Sequence, residues 1–471
     1  MAENKGTVPV ELGTKKISSL LKEYAVPAII AMTASSLYNM VDSIFIGHIP
    51  EVGSLAISGL AVSFPLMNLA VAFGTLVGLG SSTIVSVYLG QKNYEAANKV
   101  LSNNLTLNLI IGTLFSIITL TFLNPILTFF GASENTIVYA RDYMTVILLG
   151  NVFTHMYFSL NHMIRVAGQP KIAMGLTLFT VIFNSILDPV FIFWFGLGIR
   201  GAAIATVIAQ VCALAYVLKF FSNRNSFMHF PKRFISLDTR LARASLAIGM
   251  GPFLMNSAAC MVTMFINLQL HKYAGDLSIG AYGIINRISF LFIMINMGLN
   301  QGMQPIAGFN YGARKYTRVR KVFYLTAICA TAVTTLGFIV SEFFPEFAVK
   351  AFTNDPALIE ISSKGLSVVN LAIPLVGFQM VTTNLFQSLG MVKKSIFLSL
   401  SRQLLFLIPT IYFLPEILEA NGIAGVNGVW LGFPVSDLCS IMLSSTLLIR
   451  LFSKFRKLND GDDPSALGGI N

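Results

Sequence analysis

The chain has 471 residues, of which 55% are hydrophobic and only 11% carry a charge. A soluble domain carries about 25% charged residues, which cover its surface, so this composition excludes an ordinary soluble protein. The formal net charge of +11 would suit nucleic acid. The basic residues, however, lie in alternate connections between long apolar runs, as in the cytoplasmic loops of membrane proteins. We therefore expect membrane lipids around the chain and no nucleic-acid partner.

Twelve apolar segments are long enough to cross a bilayer, which takes roughly 20 residues at 1.5 Å each. Lipid offers no partners for backbone polar groups, so such segments form helices. The sequence therefore predicts an all-α polytopic membrane protein with twelve transmembrane helices. The segments cover residues 23–48, 55–86, 97–123, 136–160, 171–194, 199–221, 243–271, 277–307, 319–343, 358–386, 394–415 and 424–450.

Lysine and arginine residues are distributed unevenly between the two sets of connections. One set, together with both termini, holds 25 of them by this assignment, whereas the other set holds Arg200, Lys272 and Lys350. Cytoplasmic connections carry the excess of basic residues in membrane proteins. We therefore expect both termini to lie in the cytoplasm.

The two halves of the sequence resemble each other. Tyr88–Tyr94 (YLGQKNY) matches Asn310–Tyr316 (NYGARKY), and the same register places Lys171 on Lys393. Because each copy holds six helices, equivalent residues lie on the same membrane face, and the copies form two bundles related by a pseudo-twofold axis along the membrane normal. Paired bundles of this kind are expected to enclose a central cavity that opens alternately to either side.

The repeat and the apolar runs predict five regions. The polar tail from Leu458 onward is expected to be disordered. The regions are a cytoplasmic N-terminal segment (1–22), an N-lobe (23–221), an inter-lobe linker (222–242), a C-lobe (243–450) and a cytoplasmic tail (451–471).

Ionisable side chains inside the bilayer cost roughly 2.5–3.5 kcal/mol each and are usually functional. Asp42 and Asp188 each lie six residues before the outer end of their segment, which is about 9 Å below the outer boundary. Thr206 enters from that side and reaches a similar depth. Asn184 is one helical turn from Asp188, and Tyr38 one turn from Asp42, so each pair shares a helix face.

Two carboxylates, an amide and a hydroxyl at one depth predict a site for H⁺ or Na⁺, because oxygen ligands suit a hard cation. If the ion is Na⁺, its ligands would be Asp42, Asn184, Asp188 and Thr206. The alternative is that each aspartate makes a structural hydrogen bond within its own bundle. We favour the cation site, since acids inside a membrane are usually functional.

The second half lacks these acids, because the repeat places Asn267 opposite Asp42 and Thr410 opposite Asp188. A cation site would therefore be confined to the N-lobe. The C-lobe has charges of its own. Arg402 and Asp437 are expected to form a structural ion pair rather than a second coupling site.

Four motifs together resemble the multidrug and toxic compound extrusion (MATE) family. They are YLGQKNYEAANKV at 88–100, VAGQPKIA at 166–173, NSILDP at 184–189 and GIRGAAIAT at 198–206. The resemblance covers essentially the whole chain and is closest to the prokaryotic branch with a cation site in the N-lobe.

The resemblance implies export of amphipathic, often cationic drugs in exchange for H⁺ or Na⁺ by alternating access. It also implies a monomeric, non-enzymatic protein of a bacterial or archaeal plasma membrane, with no cofactor besides the coupling ion. In similar transporters the cation site uses residues that match Asp42, Asn184, Asp188 and Thr206, with Tyr143 nearby.

The substrate cavity of such transporters has positions that match Tyr38 and Asn161. Arg287, in the eighth segment, is a further candidate for the cavity, although it could equally bond to backbone carbonyls.

Two other functions remain open from the residues. A lipid or lipid-linked oligosaccharide flippase would need a basic cavity for a phosphate head group, and only Arg287 and Arg402 lie well inside the helices. A membrane-embedded transferase would need a nucleophile, metal ligands or an acid–base set near one interface. The sequence contains no HExxH or GxSxG motif and no cysteine–histidine cluster, so this function is the less favoured.

Overall fold

The computed structural model describes residues 11–50, 52–130, 132–230, 237–352 and 355–462. Within these ranges the chain is helical and has no strand, which confirms the all-α class. Each of the twelve apolar segments corresponds to one long helix or one interrupted helix. Among the described residues, eleven helices are long and apolar enough to cross a membrane, and a bent pair gives the twelfth if it is one span.

The first six long helices are α1 (Ile17–Gly47), α2 (Gly53–Gly90), α3 (Tyr94–Thr121), α4 (Ile137–Val166), α5 (Pro170–Pro189, continued by a π-helix over Val190–Trp194) and α6 (Ile199–Ser222). The second six are α7 (Thr239–Ala274), α8 (Asp276–Gly312), α9 (Tyr316–Phe343), α10 (Pro356–Val369 and Ile373–Ser388), α11 (Val392–Leu400, a π-helix over Ser401–Leu407, and Ile408–Ala420) and α12 (Gly425–Arg456). Short helices cover Glu11–Thr14, Leu123–Phe129 and Pro345–Lys350.

The sequence repeat extends to the backbone of the connecting turns. Lys92 after α2 and Arg314 after α8 are equivalent by the repeat, and both adopt a left-handed conformation, with φ of 60° and 58°. Gly168 and Gly390, which are paired by the same register, also have positive φ. A left-handed conformation is uncommon for a residue with a side chain. Its recurrence at Lys92 and Arg314 therefore shows that the two turns are copies of one structure.

Helix α10 is broken, although the sequence predicts one continuous run over 358–386. Its two parts meet at an angle of 52°. Pro374 has no N–H group and cannot bond back to the Asn370 carbonyl. The Asn370 side chain instead donates to the Ser341 hydroxyl on α9 at 2.8 Å and accepts from the Ser289 hydroxyl on α8 at 2.9 Å. The break is thus held by neighbouring helices.

The prediction of a disordered tail from Leu458 is wrong for residues 459–462. In α3 the N-cap residue Asn93 accepts a hydrogen bond from the backbone, but its counterpart before α9 is Lys315, whose side chain makes no cap. The Asp460 carboxylate from the tail accepts the Thr317 N–H at 3.1 Å instead. A carboxylate at a helix N-terminus is favourable, so the tail completes α9.

The chain forms two compact units. The first contains residues 11–14 and Ile30–Phe253, and the second contains Lys15–Ile29 and the chain from Leu254 onward. Within the second unit, the start of α1 crosses α8 closely at two glycines. A Cβ atom added at Gly302 would lie 2.5 Å from the Ala25 Cα, and one added at Gly298 would lie 2.6 Å from the Ile29 Cα. Only glycine permits such backbone approach.

Replacing Gly302 with alanine tests this crossing. The helices must move apart to admit the methyl group, so we expect a loss of about 1–3 kcal/mol. Gly283 on the same helix is the matched control, because a Cβ atom there meets nothing within 4 Å. Within a helix, alanine is about 0.5–1 kcal/mol more stable than glycine, so this variant should lose no stability. Thermal unfolding of the purified protein should show a lower midpoint for Gly302→Ala only. Equal midpoints for the two variants would contradict the close crossing.

Candidate cation-coupling site

The two acids singled out by the sequence are both buried in the first unit. Asp42 on α1 is 5% exposed, and Asp188 on α5 is fully buried. The Asp42 carboxyl lies close enough to act electrostatically on Asp188. The structure therefore brings the acids of the first and fifth helices within electrostatic range of each other.

Asn184 joins the carboxylate of α5 to the hydroxyl of α6. Its side-chain nitrogen donates to Asp188 Oδ1 at 3.1 Å and to Thr206 Oγ1 at 3.2 Å. Asn184 and Asp188 are four residues apart and share a helix face. The Thr206 hydroxyl itself donates to the Ala202 carbonyl at 3.1 Å, so it accepts the amide through a lone pair. Three of the predicted cation ligands thus form one hydrogen-bonded group.

Three buried acceptor oxygens in this site lack a hydrogen-bond donor among the described residues. They are Asp42 Oδ1, Asp188 Oδ2 and Asn184 Oδ1. No described lysine or arginine forms a salt bridge with either acid. Buried polar groups are nearly always satisfied, and a buried carboxylate without a partner is costly. Unpaired oxygen acceptors of this kind fit a proton or a hard metal cation such as Na⁺.

Tyr143, which the family resemblance places near the site, lies on α4 and is fully buried. It belongs to an apolar core that also contains Met144 and Leu148 of α4 and Ala202 and Ala203 of α6. Ala202 supplies the carbonyl that anchors the Thr206 hydroxyl. Tyr143 thus lies in the packing that fixes α6 beside the candidate site.

The three predicted cavity residues have different outcomes. Tyr38 lies in α1, and its side chain is outside the described residues. Asn161 on α4 is buried and donates to Thr177 Oγ1 on α5 at 3.1 Å, so it ties two helices together. Arg287 on α8 is exposed, and none of the hydrogen bonds among the described residues joins its guanidinium to a backbone carbonyl.

Thr177 is a contact that the sequence did not indicate. It lies on the helix after that of Asn161, and nothing in its local sequence distinguishes it from other threonines. The Asn161 amide also reaches the Tyr157 hydroxyl at 3.4 Å. The three side chains form a polar link between α4 and α5, the helix that carries Asp188.

The second unit has a different arrangement of charge. Arg402 Nε lies 2.6 Å from Asp437 Oδ1, so the predicted ion pair is present. The hydroxyl of Thr410, the counterpart of Asp188, has one proton to donate, and the Phe406 carbonyl at 2.8 Å and the Gly432 carbonyl at 3.1 Å are both within reach as acceptors. Its hydroxyl is thus engaged with backbone.

Comparisons with known proteins give the class. The MatE family model matches residues 27–190 and again residues 252–413, as expected for a duplicated chain. The multidrug export protein MepA of Staphylococcus haemolyticus is 27% identical over 435 residues, which cover 90% of this chain and 92% of that protein.

Solved structures agree with this class. The MATE multidrug transporter DinF-BH, whose structure contains R6G, is 34% identical with a TM-score of 0.84, covering 93% of this chain and 96% of that one. An outward-facing MATE transporter of the MOP superfamily is 21% identical with a TM-score of 0.87, covering 96% and 99%, which supports the fold alone.

The chain belongs to the MatE family. It is a multi-pass membrane protein and an efflux transporter of the MATE type, not an enzyme.

Replacing Asp42 with asparagine separates the cation site from the structural alternative. Alkaline pH and the absence of Na⁺ favour the ionised forms of both buried carboxylates, which repel each other. Removing one charge should stabilise the purified protein by about 1–3 kcal/mol. Asp142→Asn is the control, because Asp142 pairs with the exposed Arg200 at 2.8 Å and exposed pairs contribute about 0–1 kcal/mol. Thermal unfolding at pH 9 gives the answer. A large loss of stability in Asp42→Asn would favour the structural hydrogen bond.

Proposed function

We propose that this chain exports amphipathic, often cationic compounds in exchange for H⁺ or Na⁺. The observation that carries the proposal is the group of three buried, unpartnered oxygens on Asp42, Asn184 and Asp188. The relatives support drug export, since MepA is described as a multidrug export protein and DinF-BH as a multidrug transporter. The excess of basic residues in one set of connections supports cytoplasmic termini, and the family resemblance supports a plasma membrane. We expect it to act as a monomer among membrane lipids.

In this proposal the site works by alternating access. The outward-open form takes a cation at Asp42 and Asp188, which releases the drug outwards, and the inward-open form gives up the cation and accepts a new drug. Cation and drug shift the equilibrium only if each binds the two forms with different affinity. A cation between the carboxylates removes their repulsion, so it draws α1 and α5 together.

Pro27 gives α1 a place to bend. It lies inside the helix and lacks the N–H that would bond to the Glu23 carbonyl, which favours a kink. A bend at Pro27 would move Asp42 relative to Asp188 on α5. Cation binding and the shape of α1 would then be linked.

The flippase alternative is weakened by the position of its basic residues. Arg402 is bound to Asp437 at 2.6 Å and offers less of its charge to a phosphate. Arg287 is then the remaining basic candidate from the sequence. One arginine gives a flippase little support.

The first test of this function removes each acid. We expect Asp42→Asn and Asp188→Asn to abolish gradient-driven ethidium efflux, while the protein still accumulates in the membrane. An asparagine amide takes up no proton near neutral pH and carries no negative charge to balance Na⁺. Asp142→Asn, in the exposed pair with Arg200, should keep efflux within about twofold of the unmodified protein. Wild-type resistance and efflux in both acid variants would remove the site assignment.

The second test identifies the coupling ion. Ethidium transport in everted vesicles is measured with an imposed pH gradient or an imposed Na⁺ gradient, one at a time. A site of acidic and amide oxygens should respond to at least one of them, and drive by one alone identifies the ion. Drive by neither gradient would contradict cation exchange and favour the flippase.

A further inference from the structure

Buried carboxylates in this protein are neutralised in two different ways. In the first unit, Asp42 and Asp188 are buried and form no salt bridge with a described basic residue, so under the proposed function a mobile cation neutralises them. In the second unit, Asp437 is 5% exposed and bound to Arg402. The first site carries a net negative charge until a cation arrives, whereas the second is neutral without one.

The charged pair of the second unit has no counterpart in the first. Helices α11 and α12 are the repeat equivalents of α5 and α6. The alignment that relates the turns after α2 and α8 places Arg402 opposite Thr180. The alignment of the starts of α6 and α12 (IRG with IAG) places Asp437 opposite Ala213. Thr180 lies eight residues before Asp188, which is about 12 Å along the helix. This pair of helices therefore carries one acid in each copy, Asp188 in the first and Asp437 in the second. Only Asp437 is paired with a basic side chain of the same helix pair.

The geometry leaves the pair accessible from the arginine side. The acid is engaged through a single contact, from Nε to Oδ1 at 2.6 Å, and the Arg402 side chain is 28% exposed. Arg402 lies in the π-helical turn of α11, and such turns are frequent at functional sites. The adjacent Gln403 has a buried Oε1 without a hydrogen-bond donor among the described residues. Tyr282 on α8 is another titratable group near Arg402.

We propose that Arg402 is a built-in counter-cation, which prevents Asp437 from taking a mobile H⁺ or Na⁺. The number of cations exchanged per drug is then set by the first unit alone. This inference rests on the proposed cation exchange. An intramembrane acid must be neutralised by a partner or by an ion, so removing the arginine should convert Asp437 into a second cation site.

The experiment measures the cation-to-drug ratio in proteoliposomes with the membrane potential clamped at zero. The logarithm of the ethidium ratio at zero net flux is plotted against the logarithm of the imposed cation ratio, and the slope is the number of cations exchanged. We expect Arg402→Gln to raise the slope by about one, so that a tenfold cation gradient supports about tenfold more ethidium accumulation. Arg402→Lys keeps the charge and should retain the wild-type slope.

The double variant R402M/D437L removes both charges, and such replacements are often tolerated. It should keep the wild-type slope, because Asp437 then contributes no site. An unchanged slope in Arg402→Gln, or an altered slope in the double variant, would overturn the proposal. A further outcome concerns the amount of protein in the membrane. If the Arg402→Gln and Arg402→Met proteins are both absent from the membrane while the double variant is present, no mobile cation neutralises the unpaired Asp437. The proposal then also fails.

The failure of the underlying function looks different. In that case the wild-type slope itself is zero for both H⁺ and Na⁺. If the wild-type slope is non-zero but does not change in Arg402→Gln, only the proposed role of Arg402 is contradicted, and cation exchange stands.

Discussion

Two neighbouring carboxylates, those of Asp42 and Asp188, are buried in the first unit, where burial and mutual repulsion make their charged forms costly. Asp42 and Asp188 are both almost completely removed from solvent, and the charged group that acts on Asp188 among the described residues is Asp42. Each charge would be costly alone, and together they oppose each other. Under the proposed function, a cation that enters the site offsets this cost. The hydrogen bonds of Asn184 to Asp188 on α5 and to Thr206 on α6 hold part of the site in place.

The second unit shows how a duplicated scaffold can be neutralised from within. The turns after α2 and α8 retain the same left-handed backbone at Lys92 and Arg314, so the architecture has been kept. The charges have not, because Arg402 and Asp437 face each other where the first copy has Thr180 and Ala213. Under the proposed function, the first copy responds to a cation, and the second holds its acid in an ion pair.

Length and hydrophobicity were sufficient to predict the helices, because lipid restricts a long apolar run to a helix. The spacing of Asn184 and Asp188 also predicts their hydrogen bond, since four residues make about one turn. The contact from Asn184 to Thr206 is different. Depth alone made it plausible, but only the packing of α5 on α6 determines that the amide and hydroxyl meet at 3.2 Å.

The features that escaped prediction depend on neighbours distant in the chain. The tail residue Asp460 accepts the Thr317 N–H at the start of α9, where the Lys315 side chain makes no cap. The composition of the tail does not reveal this uncapped helix end. The break in α10 needs Ser289 and Ser341 to satisfy Asn370, and Pro374 by itself only permits it. The close crossing of α8 likewise depends on α1, a helix from the opposite half of the sequence.

The central claim is that Asp42 and Asp188 share one pocket, and a double-mutant cycle tests it most directly. Thermal stability at alkaline pH without Na⁺ is compared for the wild type, Asp42→Asn, Asp188→Asn and the double variant. Residues in contact give a coupling energy of about 0.5–3 kcal/mol, whereas distant residues add. A shared pocket predicts that either single change relieves the repulsion and that the double variant gains less than the sum. Additive effects would contradict it.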